Sequence, residues 1–205
     1  MTQAKTHWNT VYREKSAADV SWFQPEAQPS LDLILQHRDL AVQGVIDVGA
    51  GASRLVDGLL AAGLTDVTLL DVAKTAFDPV RQRLGPQGDL PNYVIANAAD
   101  WQPDRQFGVW HDRAAFHFLT AKIDQDHYLT TLRKSLVPRG IAILATFAPD
   151  GPEFCSGLPV QRYSSAEIGD RLGPSFALVE ALSVSHMTPQ GKEQRFQYAV
   201  LRKTE

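Results

Sequence analysis

One ten-residue run constrains the fold of this chain more than any other: Gly44-Val45-Ile46-Asp47-Val48-Gly49-Ala50-Gly51-Ala52-Ser53. The apolar stretch containing Asp47 reads as a buried strand, and the glycines after it read as a tight turn that opens a helix near Ser53. Glycine at 49 and 51 permits positive φ and lets backbone approach a ligand with no Cβ in the way, while the helix start points amide N–H groups into the turn. A strand, a glycine turn and a helix in that order form the opening unit of a nucleotide-binding α/β sheet, whose ligands sit outside the carboxyl ends of the strands.

The following residues repeat the alternation. Apolar spacing predicts a helix over 55–62, with Gly63 suited to its C-terminal cap, and then a strand over 66–71 ending in Asp71. A carboxylate at that strand end, half a βαβ unit beyond the glycine turn, accepts hydrogen bonds from both hydroxyls of a ribose. Further elements are expected as a helix over 73–84, a strand over 92–97, a strand over 107–111, a helix over 124–136 and a strand over 140–147. Two last strand-like runs, 176–184 and 195–202, are joined by a polar loop with Pro189 and Gly191, which predicts an antiparallel hairpin. Ahead of the core, helices are expected over 8–15 and 31–40, with a Pro-bearing loop over 22–29 between them. The 205 residues therefore divide into an N-terminal helical cap segment (1–43) and a core (44–205) of a single domain, with no internal repeat.

The cofactor is narrowed by what the turn lacks. A dinucleotide fingerprint carries a third glycine for close helix packing, and Arg54 stands there instead; no Tyr-x-x-x-Lys pair is present for hydride chemistry. An acid two residues before the first glycine, in Asp47-Val48-Gly49-Ala50-Gly51, resembles motif I of the class I S-adenosylmethionine (SAM)-dependent methyltransferases, and the resemblance runs from Val45 to the C-terminus. It implies a Rossmann-like α/β fold: a seven-stranded, mainly parallel sheet with an antiparallel last strand and helices on both faces. It also implies SAM as cofactor and S-adenosylhomocysteine as product. Asp47 would then face the methionine amino end, Gly49, Ala50 and Gly51 would pass close to the cofactor, and Asp71 with Val72 would hold the ribose. Asp100 would meet the adenine amino group and Trp101 would pack on the ring. Arg54 is a candidate partner of the methionine carboxylate, and Tyr12 and Trp22 of the cap are candidate cofactor or substrate contacts.

The acceptor side is expected in two loops. After the fourth strand comes Trp110-His111-Asp112-Arg113-Ala114-Ala115-Phe116-His117. It lacks the Asn/Asp-Pro-Pro-Tyr/Phe pattern of enzymes that methylate base or amide nitrogens. Asp112-Arg113 resembles the Asp-Arg-Gly-Ala loop of thiopurine and soft-chalcogen methyltransferases and also the Asp-Lys-Gly-Thr loop of a protein-lysine group, with Ala114 replacing the glycine of both. His111, Asp112 and Arg113 are the catalytic candidates. His117 and, from the long Gly/Pro-rich connection after the fifth strand, Cys155, Arg162 and Tyr163 are the substrate-binding candidates. The leading expectation is a small-molecule acceptor with a soft (S, Se, Te) or nitrogen nucleophile. A lysine of a partner protein is the alternative acceptor, and a non-catalytic SAM-binding module is the alternative from another class.

Composition excludes several other classes. Lys plus Arg is 20 against 23 for Asp plus Glu, so the formal charge of −3 provides no basic field for nucleic acid. The single cysteine rules out an internal disulfide and a multi-cysteine zinc site, and no metal is expected. A polar start and the lack of any apolar run of membrane-span length predict a cytoplasmic protein. Nothing in the sequence sets an oligomeric state.

Overall fold

The computed structural model describes residues 2–205, so that only Met1 of the predicted cap segment lies outside it. Helices α1 (Thr2–Glu14), α2 (Ser30–Leu35) and α3 (Arg38–Ala41) precede a core in which β1 (Val45–Val48), α4 (Leu55–Ala61), β2 (Val67–Asp71), α5 (Asp78–Leu84) and β3 (Asn92–Ile95) alternate. There follow β4 (Phe107–Arg113), α6 (Lys122–Ser135), β5 (Leu136–Phe147), a two-stranded ribbon of β6 (Phe154–Cys155) and β7 (Leu158–Pro159), and α7 (Ser165–Leu172). The hairpin of β8 (Phe176–Met187) and β9 (Glu193–Lys203) ends the chain. The main sheet has seven strands in the order β3-β2-β1-β4-β5-β9-β8. β1 to β5 pair in parallel, and β9 runs antiparallel between β5 and β8. The sheet, its mixed direction and the terminal hairpin agree with the sequence-based expectation.

The pleat decides what each strand residue meets. Val45, Val109 and Ile143 face a first core layer against α2, α3 and α4, while Ile46, Val48, Trp110 and Leu144 face a second layer against α6 and α7. Near-continuous apolar strands follow from this, since a parallel sheet covered on both faces has no wet side. The same alternation sends Asp47 and His111, which are register partners on β1 and β4, to the α2 side, and sends Asp112 to the α6 side.

Two predicted helices differ, and a third helix was not predicted. The helix expected over 31–40 is two short helices, because His37 leaves helical geometry at φ −115° and ψ 40°. The helix expected over 73–84 begins as a 3₁₀ turn, Lys74–Ala76, and becomes α-helical only at Asp78. Pro79 is the reason: without an N–H it fits the first turn of a helix and not its interior. Helix α7 had no predicted counterpart, although Ser164-Ser165-Ala166-Glu167 spells a capping box, and both reciprocal hydrogen bonds of that box form.

Candidate active site

A cleft of about 330 Å³ opens at the carboxyl ends of β1, β2 and β4, beneath α1. The glycine turn shapes its floor. Gly49 and Gly51 have φ of 65° and 54°, in the region that favours glycine. A Cβ on Gly49 would stand 2.5 Å from the Ala115 Cβ, and one on Gly51 would collide with the Tyr12 hydroxyl. Glycine is therefore required here both for the turn and for the close approach of the walls. A smaller cavity of about 60 Å³ adjoins the cleft on the other side of Gly49, lined by Trp22, Ser30, Asp47, Arg54, His111 and Arg113 among others.

Asp71 stands where the two halves of the expected cofactor site meet. Its Oδ2 accepts from the Gly51 N–H at 2.9 Å and its Oδ1 from the Ala73 N–H at 2.8 Å, tying the glycine turn to the end of β2. Each carboxylate oxygen keeps a further lone pair, and the residue lines the cleft together with Val72. Burial pushes its pKa up to about 6, against the opposing pull of these backbone donors. Tyr12 and Trp22 also line the cleft, and their rings meet edge to face with centroids 6.4 Å apart.

The triplet after β4 is divided by the pleat. His111 Nδ1 is 2.7 Å from Asp47 Oδ1, and its Nε2 is 2.8 Å from Ser30 Oγ, giving a buried chain that locks β1, β4 and α2. This pair faces the small cavity and not the cleft. Asp112 faces the other layer and lines neither cavity: it accepts from the Ala115 and Phe116 N–H groups and from the Tyr128 hydroxyl. Its work is to fold the loop that carries Ala115 under Gly49. Burial raises its pKa to about 6 as well. Arg113 lines both cavities. Between them, Ala114 adopts φ 70° at the position where the resembled loops carry glycine.

Several expected site residues point elsewhere. Asp100 is exposed and accepts from Asn97 Nδ2, and Trp101 packs beside Phe107 in the second core layer. Neither lines the cleft; Asn97 and Ala98 do. The cause is a tight turn in which Asn97 Oδ1 accepts from the Ala99 N–H and Asn97 O from the Asp100 N–H, turning Asp100 outward. His117 is fully buried against Phe118 and Phe147, and burial lowers its pKa to about 3. Arg162 is spent on Glu153 and the Gly151 carbonyl, and Tyr163 is stacked on Phe116 in the core. Arg54 is exposed at the rim of the small cavity, over the Phe23 ring. Cys155 does line the cleft, as a buried thiol whose pKa is raised to about 11 by burial. Ser30 and Tyr128 join the site without having been singled out in the sequence. Their roles arise from contacts 81 and 16 residues away, respectively, and no local pattern announces them.

Among the described residues, no three His, Cys, Asp or Glu side chains are grouped to hold a metal ion, and no helix is long and apolar enough to cross a membrane.

Sheet order, glycine turn and strand-end acid together give this chain the fold of the class I SAM-dependent methyltransferases. It superposes on 1,6-didemethyltoxoflavin-N1-methyltransferase of Burkholderia thailandensis, solved with 1,6-didemethyltoxoflavin and S-adenosylhomocysteine bound, with a TM-score of 0.69 at 19% identity. That match covers 100% of this chain and 85% of the other. A SAM-dependent methyltransferase from Anabaena variabilis gives a TM-score of 0.75 at 14% identity over 98% of this chain and 94% of its own. The N-methyltransferase NodS of Bradyrhizobium japonicum, in complex with S-adenosylhomocysteine, gives 0.67 at 13% identity over 97% and 99%. No family model and no curated protein matches the sequence.

Proposed function

We propose that the protein is a SAM-dependent methyltransferase acting on a small-molecule acceptor. The observation that carries this reading is Asp71, a buried carboxylate with spare lone pairs facing a cleft of about 330 Å³ whose floor admits no Cβ at Gly49 or Gly51. That volume lies at the lower end of the usual range for ligand sites. The residues present fit the cofactor: Asp71 and Val72 would hold the ribose, Asn97 and Ala98 would border the adenine, and the turn from Gly49 to Gly51 would run beside the methionine portion. When bound, SAM supplies an electrophilic methyl on a sulfonium whose charge vanishes as the methyl leaves.

The chain contributes position and dryness. Trp8, Tyr12 and Trp22 cover the cleft with aromatic surface, which supports an acceptor small enough to be enclosed over a protein lysine that must enter from outside. Among the described residues, no histidine lines the cleft itself. An acceptor that is already nucleophilic at neutral pH, a soft chalcogen or an amine-type nitrogen, suits a wall without a strong base, since orientation alone supplies a large share of the rate. Two of the three similar structures named above are N-methyltransferases by name, in line with nitrogen.

Calorimetric titration with SAM and with NAD tests the cofactor assignment. Micromolar SAM binding with no NAD response is expected, and Asp71→Ala should weaken SAM binding by about 1 to 3 kcal/mol, the worth of hydrogen bonds to a charged group. Release of S-adenosylhomocysteine during incubation with thiols and amines, and not with cell-extract proteins, is expected of the enzyme. SAM binding without turnover on any acceptor would return the chain to a binding module, and NAD binding would overturn the reading altogether.

A further inference from the structure

Arg113 stands where the two cavities meet, and its guanidinium is only partly answered by the protein. Nη1 donates to the Trp22 carbonyl at 3.0 Å, whereas Nε and Nη2 are buried with no hydrogen-bond partner. These two nitrogens lie along one edge of the planar group, the edge that meets both oxygens of a carboxylate in a side-by-side pair. No carboxylate of the protein takes that place: among the described residues Arg113 is in no ion pair.

The groups in contact with it carry no charge at neutral pH, and Asp47, the carboxylate that lines the same small cavity, is taken up by His111. From the cap comes the Trp22 carbonyl, and from β9 the Phe196 ring, whose centroid lies 4.4 Å from the guanidinium carbon. His186 of β8 has its pKa lowered, by burial first and by Arg113 last, and it bonds the Ser21 carbonyl. His117 is neutral for the same causes, and the Cys155 thiol of β6 is kept protonated by burial. A half-buried cation whose Nε and Nη2 are shielded from water and left unpaired is costly, and native proteins answer such a charge with an anion.

We propose that Arg113 receives the carboxylate of a ligand and that this ligand is the methyl acceptor, so that the substrate class is small carboxylic acids carrying the nucleophile. The acceptor assignment rests on the function proposed above; the carboxylate site does not. Arg113 leans toward β9 and toward Cys155 and Trp22, away from the β2 and β3 ends where Asp71, Asn97 and Ala98 lie. In the sheet, β1 lies between β4, which carries Arg113, and the strands β2 and β3 that would carry the nucleoside. Arg113 then serves to hold and orient the acceptor, with no proton to transfer.

The test compares acetate and benzoate with their neutral counterparts acetamide and benzamide, titrated into the full chain with S-adenosylhomocysteine present, and SAM with 5′-methylthioadenosine, which lacks the amino-acid portion. The wild type should bind at least one carboxylate tenfold or more tighter than its amide. Arg113→Gln should abolish that preference while leaving SAM affinity within about twofold, and Arg113→Lys, which keeps charge but not the fork, should recover only part of it. Retained SAM affinity in Arg113→Gln, together with the partial recovery in Arg113→Lys, separates this outcome from misfolding, since the Gln variant also gives up the bond to the Trp22 carbonyl that helps hold the cap. Equal binding of acid and amide by the wild type, or an unchanged preference in Arg113→Gln, overturns the proposal. A tenfold loss of SAM affinity in Arg113→Gln with 5′-methylthioadenosine unaffected overturns the acceptor assignment, because the anion would then be the cofactor's own carboxylate. Failure of SAM to bind the wild type refutes the proposed function, and the carboxylate arm still reads the site at Arg113.

Discussion

Asp71 holds the glycine turn in place and offers the expected ribose contact with the same carboxylate, so its protonation state reaches both stability and binding. Burial raises its pKa from 3.8 to about 6. A raised folded-state pKa means that the native chain holds the proton more tightly than the unfolded one. The contribution of this group to stability is therefore fully present below about pH 4 and is lost as pH rises through 6. Cofactor binding has the opposite sign, because the ribose hydroxyls need an ionised acceptor. SAM affinity should fall about tenfold for each pH unit below 6 and be flat above it, and Asp71→Asn should remove that dependence. Titrations at pH 5, 6, 7 and 8 check this; a wild-type profile flat down to pH 5 would remove Asp71 from the ribose. Ala114 makes a second test. At φ 70° it bears the cost of a left-handed L-residue, about 1–2 kcal/mol, against the 0.5–1 kcal/mol entropic penalty of glycine. Ala114→Gly should thus stabilise the chain by roughly 0.5–1 kcal/mol, read as a higher denaturant midpoint. At this scale the sequence was legible where geometry is local: the turn at Gly49 and Gly51 and the place of Asp71 at a strand end follow from a few neighbouring residues. Asp100 and Trp101 are turned away from the cleft by a side-chain turn at Asn97, and the Asp47–His111–Ser30 chain joins three segments that no short window contains.

Elements were readable to the degree that burial imposes a period. The five parallel strands and the terminal hairpin carry apolar runs long enough to declare themselves, and each was found with its boundary displaced by a few residues. Short helices are harder, since capping and proline decide them as much as periodicity. Helix α7 buries only Ile168 and Leu172 along its eight residues, too few for a stripe to stand out, yet its start is fixed by Ser164 Oγ accepting from the Glu167 N–H while Glu167 Oε2 accepts from the Ser164 N–H. At the other end Arg133 donates to the Leu172 carbonyl at 2.8 Å, tying α7 to α6. With so small a buried face, the cap is a large share of what holds this helix. Ser164→Ala should cost about 1 kcal/mol of global stability, measured as a lower urea midpoint with an unchanged slope. A change in slope would mean instead that α7 unfolds apart from the sheet.

The molecule as a whole is a rigid sheet under a cap tied at two ends. On one side Asn9 of α1 bonds Thr75, with Oγ1 to Oδ1 at 3.0 Å; on the other, His186 and Arg113 hold the Ser21 and Trp22 carbonyls. The second tie is the firmer one, because it draws on residues of β4 and β8 within the sheet. Helix α1 covers the cleft with Trp8 and Tyr12, and the Tyr12 hydroxyl lies against Gly51 so closely that no Cβ fits between them. A cofactor methionine portion laid along Gly49 to Gly51 would need that space, so α1 would have to swing outward about the loop held at Ser21 and Trp22 for the ligand to enter and then return over it. Elements that move in this way come from the low-stability end of a fold. Amide hydrogen exchange in residues 5–14 should accordingly be faster than in β1 or β4 of the free protein and slow several-fold when SAM is bound, with β4 and β5 unchanged. Removing residues 1–15 should leave the sheet's protection intact while weakening SAM binding at least tenfold. Slow exchange of α1 in the free protein with no response to SAM would make the helix a fixed wall and leave entry to the mouth beside Asp124.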